Sequence, residues 1–259
     1  MEELSKAKIK IFAALQVKKY RYRHRRFVVE GWKMVQEAIL ERWKVEAIVV
    51  REGVELKSGF DLGGYPCFQT SEEAFQKLSS QTHPEGILAI VEFPETGFGK
   101  MDELDSLPEG PGLILQDIQD PGNLGTILRT ADWFGIKQVI CSKGCSDILN
   151  PKVLRATMGA IFRVEVSYTS DLTRLLRESK QTIWAADMEG ENLAETPLAP
   201  ESWVLIGNEA NGIDRDFLKL PAVKPLTIPR IGKTESLNAG MAAGILMWQL
   251  SFGSQSGQN

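Results

Sequence analysis

LILQDIQDPGNLGTILRTADWFGI, residues 113–136, is the stretch on which the fold turns. An apolar run over 113–118 gives way to a turn cluster, Asp120-Pro121-Gly122-Asn123, and then to a helical pattern that ends at Gly135. Strand, Gly-containing turn and helix in that order is how an α/β protein builds a ligand site at the carboxyl end of a strand. Leu124, Ile127, Leu128 and Ala131 fall at helical spacing and form the expected buried stripe. Asn123 opens the helix and Arg129 follows six residues on, so both side chains reach the loop's side. A plain βα unit with an Asn cap and a solvated Arg reads the same way, so the stretch needs partners elsewhere in the chain.

Two later stretches supply them. Residues 203–213, WVLIGNEANGI, are a second apolar strand running into a polar Gly/Asn loop that carries Glu209. Residues 226–248, LTIPRIGKTESLNAGMAAGILMW, are a short strand, a Gly-containing loop, and then Ser236-Leu237-Asn238 opening a helix of small residues. Asn123, Gly125 and Arg129 in the first, Gly207 to Gly212 in the second, and Ile228 to Asn238 in the third resemble the three signature motifs of the SpoU/TrmH family. Those are S-adenosylmethionine-dependent ribose 2′-O-methyltransferases of the SPOUT superfamily, acting on rRNA or tRNA. The order and separation of the three motifs make the resemblance specific over roughly the last 150 residues.

The resemblance implies a fold and a set of roles. The fold is α/β: a doubly wound, mostly parallel sheet with a C-terminal trefoil knot, preceded by a small α/β RNA-binding domain of ribosomal-protein-like character. S-adenosylmethionine is the implied cofactor, with Gly207, Gly212, Ile228, Gly232 and Leu237 in contact with it. Arg129 is the implied catalytic residue. Because a guanidinium stays protonated in proteins, it is expected to pair with a phosphate and stabilise a developing alkoxide rather than act as a free base. Asn123 and Asn238 orient Arg129 and the ribose, Ser236 helps place the substrate, and Glu209 fixes Arg129 or a loop amide. Homodimers are the family's usual state. Where relatives commonly read Ser-Leu-Asn-Val-Ser, this chain has Gly240 in place of the second hydroxyl, and Arg230 stands where an apolar residue is common.

Composition excludes several other classes. Of 259 residues 43% are hydrophobic and 25% charged, which is the balance of an ordinary globular protein. No apolar run approaches the roughly 20 residues of a membrane span, and the charged start MEELSKAKIKIF is unlike a secretory signal. Three cysteines suit a reducing cytoplasm better than a disulfide framework. Cys141 and Cys145 lack a second Cys/His pair, so no metal site is expected. Gly232-Lys233-Thr234 imitates the end of a phosphate-binding loop, but Thr occupies position 227, where that motif needs Gly.

The net charge of −4 conceals a basic start: residues 1–44 hold 12 Lys/Arg against 5 Asp/Glu. Six cations fall within residues 18–26, as Lys18, Lys19, Arg21, Arg23, Arg25 and Arg26, with Tyr20, Tyr22 and His24 between them. Cations neutralise phosphates and flat rings stack on unpaired bases, so this loop is the expected RNA contact, with Arg155 of the stretch NPKVLRATMGAIF as a further one. Alternating short strands and helices over residues 1–95 form the expected substrate-binding domain. Thr70 and Glu73 read there as a capping box. Residues 96–111, rich in Pro, Gly and acid, form the expected linker, and 112–259 the methyltransferase domain. The Ser/Gly/Gln tail is expected to fray. A structured rRNA is the favoured target over a tRNA loop. The other reading the motifs leave open is an RNA-binding assembly or resistance factor without turnover.

Overall fold

The computed structural model describes residues 1–94, 104 and 106–253. Residues 96–103 and 105 of the expected linker, and 254–259 of the expected frayed tail, lie outside them. The chain divides into two compact units: Met1–Thr96 with Leu149–Phe162, and Gly97–Ile148 with Arg163–Asn259.

The first unit runs β1 (Glu2–Glu3), α1 (Lys6–Ala14), α2 (Lys18–His24), β2 (Arg26–Glu30), α3 (Trp32–Leu40), β3 (Val45–Arg51), β4 (Cys67–Thr70), α4 (Glu72–Leu78) and β5 (Ile87–Glu92). Its strands lie in the order β1-β4-β3-β5-β2. The pairs β1/β4 and β4/β3 are parallel, and β5 runs antiparallel to both β3 and β2. Residues 87–91 are all buried, as a central strand covered on both faces requires. The cap of α4 is Ser71, whose hydroxyl accepts from Ala74 N, rather than the expected Thr70, which ends β4 and is buried.

The basic segment expected as a loop is the helix α2. It closes with Arg25 in the left-handed region, φ 51°. Arg21 is 5% exposed, and its guanidinium donates to the carbonyls of Leu15 (3.1 Å) and Gln16 (2.9 Å). Those carbonyls follow the last turn of α1, where the helix dipole and unpaired acceptors favour a cation. Arg21 therefore belongs to the core and not to the RNA-facing set.

The second unit contains β6 (Gly112–Leu115), α5 (Pro121–Trp133) and β7 (Gln138–Ser142); the helix α6 (Pro151–Thr157), next in the chain, belongs to the first unit. The second unit resumes with β8 (Glu165–Thr169), α7 (Leu172–Glu178), β9 (Ile183–Asn192), β10 (Trp203–Ile206), β11 (Val223–Thr227) and α8 (Ala239–Phe252). Its six strands are ordered β11-β9-β10-β6-β7-β8, and every pair is parallel. The strand β6 sits beside β10, so the loops after them open at the same edge, where a change of strand order leaves room for a ligand. Trp203, Ile114, Leu205 and Ile183 anchor the core below that edge.

The segment 149–162, read from the sequence as part of the catalytic half, packs with the first unit. Trp43 Nε1 donates to the Phe162 carbonyl at 3.0 Å, and the two rings meet edge to face with centroids 5.2 Å apart. Arg155 donates to Ser80 Oγ at 2.8 Å. Thr157, two residues on from Arg155, is fully buried and donates to the Leu154 carbonyl. Its hydroxyl is occupied within its own helix.

Candidate active site

The turn after β6 is capped by Asp120, whose carboxylate accepts from Asn123 N at 2.8 Å, with Pro121 in the first helical position. Because Asp120 does the capping, the side chain of Asn123 is left to bridge. Its Nδ2 donates to Glu209 Oε1 at 2.6 Å, and its Oδ1 accepts from Asn238 Nδ2 at 2.8 Å. Asn238 in turn caps α8, its Oδ1 accepting from Gly240 N (2.9 Å) and Met241 N (3.3 Å). One residue from each of the three sequence motifs is thereby joined in a single hydrogen-bonded row.

Beside this row opens a cavity of about 830 Å³. Its walls include all five positions expected to hold the cofactor, Gly207, Gly212, Ile228, Gly232 and Leu237, together with Glu209 and Ser236. The loop after β10 folds back tightly: Gly212 N donates to the Asn208 carbonyl at 2.8 Å. A Cβ on Gly207 would lie 2.4 Å from the Gly212 backbone carbon, so no larger residue fits there. The sequence missed Asp187, Arg215 and Thr234, which also line the cavity. Asp187 pairs with Arg215 at 3.1 Å. No fixed motif position marks these residues: Asp187 lies mid-strand in β9, Arg215 follows the second motif, and Thr234 takes a variable place within the third.

Arg129 points outward from α5, exposed, and its guanidinium makes no bond among the described residues. It is not part of the Glu209–Asn123–Asn238 row, nor of the cavity wall. Arg230, the cation that departs from the family pattern, lines the cavity and donates to the Thr234 carbonyl at 3.3 Å. Gly240 has a packing reason. A Cβ there would stand 3.2 Å from both Asn238 Oδ1 and Thr126 Cγ2, a close fit that asks those side chains to give by a few tenths of an ångström.

The turn after β7 backs onto the same edge through Cys145, whose Sγ accepts from Ile118 N at 3.3 Å. The Cys145 thiol is pulled below its ordinary pKa, chiefly by a hydrogen bond from Cys141. The Cys141 thiol is pushed well up by giving that bond and by burial. Among the described residues no group of three or more His, Cys, Asp or Glu is placed to hold a metal, and no helix is long and apolar enough to cross a membrane.

An all-parallel sheet with a three-loop cavity at its carboxyl edge, preceded by a small mixed-sheet unit, is the architecture of the RNA ribose methyltransferases. The SpoU rRNA Methylase family model matches residues 111–248, and the MRM3-like substrate binding domain model matches residues 6–89. The chain is 30% identical over 253 residues to the 23S rRNA (guanosine(2553)-2′-O)-methyltransferase RlmP of Bacillus subtilis, covering 96% of this chain and 98% of that one. A TrmH-family protein from Porphyromonas gingivalis superposes with a TM-score of 0.80 at 32% identity, over 95% of this chain and 98% of that one. An AdoMet-bound rRNA methyltransferase from Sinorhizobium meliloti does so with a TM-score of 0.76 at 26% identity, over 96% of each chain. The protein belongs to the SpoU rRNA methylase family. It is an S-adenosylmethionine-dependent RNA 2′-O-methyltransferase.

Proposed function

We propose that the protein methylates a ribose 2′-hydroxyl in ribosomal RNA, acting in the cytoplasm. The observation that carries this reading is the Glu209–Asn123–Asn238 row at the rim of the cavity. The cavity's size is that of a small-molecule site, within the range of about 300–1,000 Å³. Loop backbone at Gly207, Gly212, Ile228, Gly232 and Leu237 would hold S-adenosylmethionine, which supplies an electrophilic methyl group on a sulfonium. The protein's task is then to fix the ribose oxygen in line and to stabilise it as its proton leaves. Asn123 and Asn238 orient the sugar, with Glu209 holding the Asn123 amide. Ser236 places the ribose or its phosphate. Arg129, exposed on α5, takes the flanking phosphate and steadies the developing alkoxide.

RNA docks on the first unit through the outer face of α2. Lys18, Lys19, Arg23 and Arg25 are exposed there, and Tyr20 stacks on His24 with centroids 6.2 Å apart. Arg26, paired with Glu46 at 2.9 Å, and Arg155 are secondary contacts. Two further features follow the family. The segment from β10 through α8 forms a trefoil knot, consistent with α8 returning from the edge strand β11 to meet α5 beside the central β6. A second copy covers the apolar groove between α5 and α8, lined by Phe134, Met241, Ile245 and Trp248.

The experiment is transfer of labelled methyl from S-adenosylmethionine into rRNA and tRNA taken from a strain lacking the protein. Label at one ribose of rRNA is the expected result. Label confined to tRNA would overturn the rRNA assignment. Cofactor and RNA binding without any label would favour an RNA-binding assembly factor instead.

A further inference from the structure

The turn between β6 and α5 contains a residue in the left-handed backbone region that is not glycine: Asp117, φ 56°. Side chains with a Cβ disfavour that region; Asp is among the few that enter it, where a local hydrogen bond holds its side chain. A single hydroxyl does so here. Ser142 Oγ, 7% exposed at the end of β7, accepts from Asp117 N at 2.9 Å and donates to Asp117 Oδ1 at 2.6 Å. Room for the carboxylate exists because position 144 is glycine; a Cβ there would lie 2.0 Å from Asp117 Oδ1.

The enforced backbone presents the Asp117 carbonyl to the loop after β10, where Asn208 Nδ2 donates to it at 2.9 Å. Asn208 is the internal frame of that loop. Its Oδ1 accepts from Ala210 N (2.9 Å) and Asn211 N (3.1 Å), and its carbonyl accepts from Gly212 N (2.8 Å). Gly207, Glu209 and Gly212 of the same loop line the cavity.

We propose that Asp117 is a positioning residue for the cofactor loop: its carboxylate, locked by Ser142, fixes the carbonyl from which the Asn208 amide hangs, and so sets where residues 207–212 stand relative to Asn123. The inference deepens the function above and rests on the cavity being the cofactor site. Asp117 is bonded to the loop's frame and not to the cavity, so its loss acts on cofactor affinity and leaves the chemistry at saturation intact.

The test is calorimetric titration of the full chain with S-adenosylhomocysteine, alongside steady-state methyl transfer. D117G keeps the left-handed backbone, which glycine adopts freely, and removes only the lock. It should weaken binding and raise the KM for S-adenosylmethionine about five- to tenfold, the worth of one or two net hydrogen bonds, with kcat within about twofold. S142A removes the lock from the other side and should act alike, which covers the case that D117G does not fold. G144A, by displacing the carboxylate, should mimic both. D117N keeps an acceptor and tolerates the left-handed region, so it should bind as the parent does. Parent-like binding by both D117G and S142A overturns the inference, as does a D117N protein as weak as D117G. A parent protein that binds no S-adenosylhomocysteine overturns the cofactor-site reading itself.

Discussion

Asn123 Oδ1 and Asn238 Nδ2, from residues 115 positions apart in the chain, meet at 2.8 Å. The bond ties the first turn of α5 to the cap of α8, and it predicts a separation of stability from activity. N238D keeps an acceptor for the Gly240 and Met241 amides, and Asp caps a helix as well as Asn does. It replaces the donor facing Asn123 with an acceptor. Its unfolding temperature should match the parent's while methyl transfer falls up to about tenfold, roughly the worth of one lost neutral hydrogen bond. N238A also loses the cap, about 1 kcal/mol, and should melt about 2–4 °C lower. Full activity in N238D would sink the orienting role.

Arg129 has no side-chain partner among the described residues, so R129A should fold normally and bind S-adenosylhomocysteine as the parent does. Turnover should drop by about two to three orders of magnitude, as when a donor to a developing oxyanion is removed. A stopped assay with saturating RNA decides this, and an active variant ends the assignment.

The cations of α2 divide by burial. Neutralising Lys18, Lys19 and Arg23 together should leave the melting temperature unchanged and lower the slope of log K against log salt by about two to three, since each phosphate contact contributes about 0.7–0.9. Replacing Arg21 by Met should do the reverse. It leaves the Leu15 and Gln16 carbonyls short of a donor at a cost of about 1–3 kcal/mol and spares the salt slope. Filter binding over a salt series with parallel melts would expose a wrong division.

Gly207 stands against the Gly212 backbone, so G207A must open the loop. Overpacking of this kind costs about 1–3 kcal/mol, and cofactor binding should fall below detection in the same calorimeter. Retained affinity would show that the loop can widen without consequence.

The apolar groove of α5 and α8 leaves Met241 62% and Trp248 53% exposed. If a second copy covers it, M241E with W248E should sediment as a monomer where the parent sediments as a dimer. A parent that is already monomeric refutes the pairing.

How far the sequence carried the reading depended on what each motif had to do locally. The stripe Leu124, Ile127, Leu128, Ala131 is buried as its spacing requires, and the apolar strands at 113–115 and 203–206 lie side by side. Motif glycines and asparagines were legible because tight turns and caps admit few other residues. The helix α2 was not, since its inward residue is an arginine and a run of cations hides the usual apolar face. The two-residue strand β1 is too short to leave a pattern, and β11 begins at Val223, ahead of the stretch read as a strand, with its pairing to β9 interrupted between Pro225 and Leu226. Asp187 and Asp117 escaped notice because their meaning lies in what the topology sets beside them.

The chain leaves the second unit after Ile148, contributes the segment to Phe162, and returns at Arg163. A fragment ending near residue 95 would thus lose Phe162, whose carbonyl accepts from Trp43, and Gly159, which lies against Glu37. The N-terminal stretch alone is not a self-sufficient cassette. Shuffling the recognition module between relatives would demand three splice points in place of one, after residues 96, 148 and 162, with the insert and its host exchanged as a matched pair.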